Sequence, residues 1–284
     1  MLFAGVLNSA GVATDYSFQL VKNVSAEKPV AEGTYLLQGN RTIGEGVVLR
    51  FPELDSWSYG KWVDMGSAGK WATGNLTDDG RTTVSEDNIV APDAPGGYYA
   101  WGEYVKRTLI YVEEHRMSYV WPYANWKSYS LANLDKEKLT KYCTQASYAD
   151  GGRPDNLSVL EDADDAATRN IGEKWRTPTK AECEKLVDKN NFGWAWQNSG
   201  YATRGSLVTC TANGLSMFLP AAGFAGGVDE YYIYKVNERG NYWASEINKS
   251  IPNQAYNVFF QETTDPRVSA GERQVVFSIR PVLK

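Results

Sequence analysis

Gly240-Asn241-Tyr242-Trp243-Ala244-Ser245, then Ala255-Tyr256-Asn257-Val258-Phe259-Phe260, then Phe277-Ser278-Ile279-Arg280-Pro281-Val282 punctuate the last forty-five residues of this chain. Each run is apolar and aromatic and reads as a strand. Polar, irregular sequence lies between them. A surface anchored at its edges and free to vary in its middle is what a contact face requires. The candidate contact residues are therefore Glu246, Asn248, Lys249, Asn253, Gln254, Tyr256, Asn257, Phe259, Gln261, Arg267, Glu272, Arg273, Gln274 and Val275. Asn, Gln, Tyr and Arg offer adaptable hydrogen bonding and flat contact area. Tyr256 and Phe259 are the expected anchors.

Composition narrows the function classes. Hydrophobic residues make up 43% of the 284, enough for a packed core. The formal net charge of −5 provides no electrostatic footprint for nucleic acid. His115 is the single histidine, so a histidine-based triad or metal site has almost no material. Cys143, Cys183 and Cys210 are odd in number and leave at least one thiol unpaired within the chain. No run approaches the roughly 20 apolar residues of a membrane span. Met1 to Leu7 lacks a basic flank and makes a poor signal peptide. The chain is expected to be either a mature secreted form or something exported by another route, such as a virion protein.

Along the chain, Tyr16–Lys22, Gly33–Gly39 and Gly46–Phe51 read as strands between Gly and Asn turns. With a boundary between Pro52 and Tyr59, they form an expected β module over residues 1–57. Residues 58–284 form the main domain. A helix is expected from Asp135 to Tyr142 and another after the acidic opening Asp162-Ala163-Asp164-Asp165. Thr179 and Glu182 have the spacing of a capping box and start a third, with Cys183 and Leu186 on its apolar stripe. Short strands then run to the C-terminus. The fold class is α+β: helices packed beside a small twisted antiparallel sheet, with long loops tied down by tryptophan.

Trp62-Val-Asp, Trp71-Ala-Thr-Gly-Asn, Tyr99-Ala-Trp-Gly-Glu, Asp164-Asp-Ala-Ala, Trp175-Arg-Thr-Pro-Thr, Phe218-Leu-Pro-Ala-Ala-Gly, Tyr242-Trp-Ala-Ser and Phe277-Ser-Ile-Arg-Pro-Val occur in this order. The series resembles the Fibrobacter-type major paralogous domain over about residues 61–284. That resemblance implies a C-type lectin-like fold, in the branch shared with formylglycine-generating enzymes and with the variable proteins of diversity-generating retroelements. It implies that Trp62, Trp71, Trp101, Trp175 and Trp243 are scaffold. It also implies that the C-terminal segment is the exposed face, and a diversified one if a second copy lies beside a reverse transcriptase gene. Arg280 and Glu103 sit in apolar motifs, and each is expected to be held by a partner, because an unpaired buried charge is prohibitive.

The functional expectation is a ligand-binding, adhesin-type protein at a bacterial surface or pilus tip, not an enzyme. Its partner would be a protein or glycan receptor, with the N-terminal module joining pilus or fibre subunits. The alternatives are a phage receptor-binding protein, a formylglycine-generating-type modifying enzyme and a structural pilus subunit. The enzyme would need paired cysteines, and these three lie in unrelated contexts. No cofactor is expected. A structural calcium would draw on Asp155, Asn156, Glu161, Asp162, Asp164 and Asp165, which also read as helix caps and turn residues.

Overall fold

The computed structural model of the chain describes residues 15–20, 31–36, 61–77, 84–113, 117–133, 138–198, 203–226 and 232–284. The chain divides into two units, Met1–Gly60 and Lys61–Lys284. In the first, β1 (Asp15–Leu20) and β2 (Ala31–Leu36) pair antiparallel, with Tyr16 opposite Tyr35 and Phe18 opposite Gly33. The strand expected at Gly46–Phe51 lies outside the described residues.

Among its described residues the second unit is α+β, built from small antiparallel sheets and two short α-helices. Its strands are β3 (Trp62–Asp64), β4 (Lys70–Ala72), β5 (Tyr99–Ala100), β6 (Thr108–Val112), β7 (Met117–Trp121), β8 (Ala132–Asn133) and β9 (Lys138–Leu139). After α1 (Ala166–Ile171) come β10 (Trp175–Arg176) and α2 (Lys180–Leu186). Then follow β11 (Phe192–Gln197), β12 (Gly205–Cys210), β13 (Ser216–Pro220), β14 (Arg239–Ile247), β15 (Gln254–Gln261), β16 (Thr264–Glu272), β17 (Val276–Phe277) and β18 (Val282–Leu283). One sheet has the order β10-β18-β4-β3, so the C-terminal strand closes the domain against its first strands. The meanders β11-β12-β13 and β14-β15-β16 carry most of the remaining pairing.

The β14 strand lies between two cores. Alternate side chains point to opposite faces of a strand. Tyr242 and Ala244 enter a core with Trp71, Leu186, Phe192, Val258 and Phe260. Trp243 and Ile247 enter another with Trp101, Trp175, Ala255, Phe277 and Ile279. A third core gathers Tyr98, Val120, Tyr129, Cys143 and Ala222. Each fully buried indole finds an acceptor, as burial demands: Trp71 donates to Ala68 O, Trp101 to Ala244 O, Trp175 to Glu86 Oε1 and Trp243 to Tyr99 O. Trp62 is half-buried on the edge strand, packed against the second core, with Lys70 Nζ 4.2 Å over its ring.

Both helices owe their positions to their caps and their packing, since helices this short are marginal alone. Asp165 caps α1 by accepting from Ala167 N and Thr168 N, and ties it to β10 by accepting from Thr177 N and Oγ1. The expected capping box opens α2: Thr179 Oγ1 accepts from Glu182 N, and Glu182 accepts from Thr179 N. Cys183 and Leu186 are the buried face of α2, as their spacing requires. The helix expected at Asp135–Tyr142 is not formed where the chain is described. Lys138–Leu139 pairs with Ala132–Asn133, Leu139 bridges to Ala149, and Tyr142 has a left-handed φ of 56°. Tertiary pairing there overrides weak local propensity.

Arg280 is fully buried. It donates to Asn75 Oδ1 at 2.9 Å, Ala72 O at 3.1 Å and Phe218 O at 2.7 Å. Burial pushes its pKa down to about 10, and it remains charged at neutral pH. Glu103 is paired with Arg107 at 2.8 Å and accepts from Ser130 N. Both charges are thus held by partners.

Two outcomes are expected. A Cβ at Gly240 would overlap the ring of Phe260 in the packed core, so Gly240→Ala should lower stability by about 1–3 kcal/mol in urea unfolding. Burial disfavours the charge on Glu182, but bonds from Arg176 and Thr179 outweigh it and hold the carboxyl below its usual range. A depressed carboxylate contributes stability above its unfolded pKa and loses it as pH falls through the folded value. Glu182→Gln should therefore show a shallower loss of stability below about pH 4 than the native chain.

Candidate functional site

The C-terminal meander presents two faces. Toward α2 it turns Tyr242, Val258, Phe260 and the half-exposed Tyr256, over which Lys180 Nζ stands at 4.8 Å. This face belongs to the core. The other face carries Arg239, Asn241 and Trp243 on β14, Asn257 and Phe259 on β15, and Arg267 and Ser269 on β16. The pairs Trp243–Asn257, Asn257–Ser269 and Phe259–Arg267 fix that row. Trp243 packs into the second core; at the other end Phe259, expected as an exposed anchor, is buried beneath the half-buried Arg239 and the exposed Arg267.

There Phe259 lies between guanidinium groups, with Arg267 Cζ 4.1 Å and Arg239 Cζ 4.7 Å from its ring centroid. Arg239 also stands 4.5 Å over Phe224. Its Nε donates to Asn241 Oδ1 at 2.6 Å, and Asn241 Nδ2 donates to Asn257 Oδ1 at 2.8 Å. A buried amide relay therefore orients the half-buried arginine, while Arg267 is exposed. Burial lowers the pKa of Arg239, and the charge of Arg267 lowers it further. Among the described residues neither arginine pairs with a carboxylate. Two like charges are held together by an aromatic ring rather than by counter-ions.

The remaining candidates scatter. Glu246 caps α2, accepting from Lys180 N at 2.6 Å. Asn248 closes the β14–β15 turn by accepting from Ser250 N. Lys249 is exposed, but its carbonyl accepts from Thr144 Oγ1 and Gln145 Nε2. Asn253 and Gln254 are half-buried at the same turn. Gln261 is half-buried at the strand end opposite Arg239. Arg273 is interior, not surface: fully buried over Trp101, it donates to Tyr129 Oη, Tyr142 O, Pro252 O and Lys141 O. Gln274 is buried and donates to the exposed Glu272, and its Oε1 meets no donor among the described residues. Val275 packs against the second core. Reading the segment as one surface missed Arg239. Its position opposite Gln261 was legible only once the strand register was known.

Two further surfaces stand apart. The β6–β7 hairpin exposes Leu109, Ile110, Tyr111 and Trp121. An open trough of about 740 Å³ is lined by Trp194, Trp196, Phe260, Ser206, Gln261 and Asp265, among others. The carboxylates considered for calcium are engaged within the chain. Asp155 accepts from Tyr142 N, Cys143 N and Leu157 N; Asp164 and Glu161 pair with Lys141; Asp162 pairs with Lys284; and Asp165 caps α1. Asn156, with a left-handed φ of 61°, donates its N–H to Cys143 O. Cys143, Cys183 and Cys210 are buried free thiols. Among the described residues no helix is long and apolar enough to cross a membrane. No family model, curated protein or solved structure matches the chain.

Arg273 and Arg267 should respond very differently to removal. Arg273→Met strips a donor from three buried acceptors and one part-buried carbonyl and is expected to cost about 2–5 kcal/mol. Arg267→Ala loses only an exposed ring contact and should cost under about 1 kcal/mol. Chemical unfolding of both variants checks the contrast.

Proposed function

We propose that the chain is a ligand-binding recognition protein of the adhesin type with a C-type lectin-like fold. It acts at a bacterial surface or pilus tip and meets a protein or glycan receptor through the end of its C-terminal sheet that carries Arg239 and Arg267. The observation that carries this reading is the pair Arg239 and Arg267 around Phe259. The exposed Arg267 and the half-buried Arg239 flank the buried Phe259 ring, and among the described residues neither cation has a carboxylate partner. Hot spots of recognition favour this combination of arginine and aromatic side chains. The ordered motif series resembling the Fibrobacter-type major paralogous domain supports the same fold and the same face. The sheet can tolerate change at its outer positions because its opposite face and the Tyr242–Ile247 part of β14 are fixed by core packing.

A screen of the intact protein against glycan and bacterial-surface protein arrays tests the reading. The comparison is a variant carrying Gln261→Ala, Arg267→Ala and Ser269→Ala, all at exposed or half-buried positions. Binding lost at unchanged thermal stability is the expected result. Binding that survives would move the contact surface to the Leu109–Trp121 hairpin.

A further inference from the structure

We infer that the outer edge of β6 pairs with β6 of a second copy of this chain, in a two-fold antiparallel ladder centred on Ile110. This goes beyond the reading of the receptor face, which belongs to a different sheet. The β6–β7 hairpin is rooted on one side only. Val120 of β7 is buried in the third core, and Tyr119 bridges to Tyr232. On the other side, among the described residues, β6 pairs with β7 alone. Half of its backbone N–H and C=O groups therefore point away from any strand. Its side chains are as bare as its edge. Leu109, Ile110 and Tyr111 are 47%, 48% and 63% exposed, and successive residues of a strand face opposite sides. Neither face of β6 is covered. A further strand completes an apolar run with an open edge, and a two-stranded hairpin is marginal until one does.

The residues of the strand say which partner fits. Proteins blunt the edges they leave in water with proline or charge. The outer strand β16 of the C-terminal sheet follows that rule, with Asp265, Pro266 and Arg267 near its start. Thr108–Val112 carries neither proline nor charge. It is also complementary to itself. Antiparallel pairing about Ile110 sets Leu109 opposite the second copy's Tyr111 and Thr108 opposite its Val112, twice over, with Ile110 opposite Ile110. Aliphatic–aromatic and β-branched pairs of this kind stabilise sheets, and no like charges meet within the ladder. The contact is isologous, so it closes as a dimer and does not propagate into a fibre.

The test uses the full chain in sedimentation equilibrium over a concentration series. The native chain should double in mass as concentration rises and dissociate on dilution, because a five-residue ladder falls short of a standard interface. Ile110→Lys should stay monomeric throughout, since it sets two ammonium groups face to face, and so should Ile110→Glu. The position is exposed, so both variants should keep the native circular dichroism. Mixing the two should restore the dimer, now with lysine opposite glutamate. Ile110→Cys should crosslink under mild oxidation, because the Cα atoms of opposite residues in an antiparallel pair lie about 4.5–5.5 Å apart, within disulfide reach. A native chain that is monomeric at every concentration overturns the inference. A dimer that persists in Ile110→Lys overturns it as well, by placing the interface elsewhere. Failure of the mixed Lys and Glu variants to associate overturns the two-fold pairing about Ile110.

Discussion

A strand buried on both faces has no side on which an error can be absorbed, and Arg239–Ile247 is such a strand. Tyr242 and Ala244 complete one core while Trp243 and Ile247 complete another. A slip of one residue would exchange all four, so the register is set by packing on two sides at once. The irregularity between Trp243 and Ile247 lets the strand re-aim within this constraint. Gly240 shows how tightly the strand is held, since its missing side chain makes room for the Phe260 ring.

Two buried arginines extend that order to the loops. Arg280 joins β4, β13 and the Asn75 turn through carbonyl and amide acceptors. Arg273 does the same for the segments around Tyr129, Tyr142 and Pro252. Loops without regular structure have many backbone carbonyls to satisfy, and a guanidinium with five donors can serve several at once. Neither cation is neutralised by a carboxylate contact among the described residues. The carbonyl dipoles gathered around each do that work, which makes these arginines costly to remove and uninformative about ligands.

The remaining arginines of the same sheet follow the opposite logic. Arg239 and Arg267 stack on Phe259 instead of filling a cage of carbonyls. Their charge is left unspent within the described chain, and the sheet beneath them is rigid because its other face is core. Residue type alone would have grouped all four arginines together. Burial and partners separate the two that hold the fold from the two that face outward.

Much of this was legible in the residues themselves. The α+β class, the capping box at Thr179 and Glu182, the Asp165 cap, the strand at Gly240–Ser245 and the need for partners at Arg280 and Glu103 are local or pairwise rules that act over a few residues. They operate before the chain closes. The assignment of contact residues was not local. Arg273 and Gln274 sit in a polar stretch that reads as surface, yet the chain turns them inward. Tyr256 and Asn257 are neighbours in sequence, yet they serve opposite faces of one strand. The loss of the expected helix near Asp135 follows from the same cause, because Leu139 is claimed by Ala132 and Ala149 from other segments. Only the tertiary structure decides which residue of an alternating strand is covered and which is left open. Burial is set by what other parts of the chain place above it, and that information is absent from any window of the sequence.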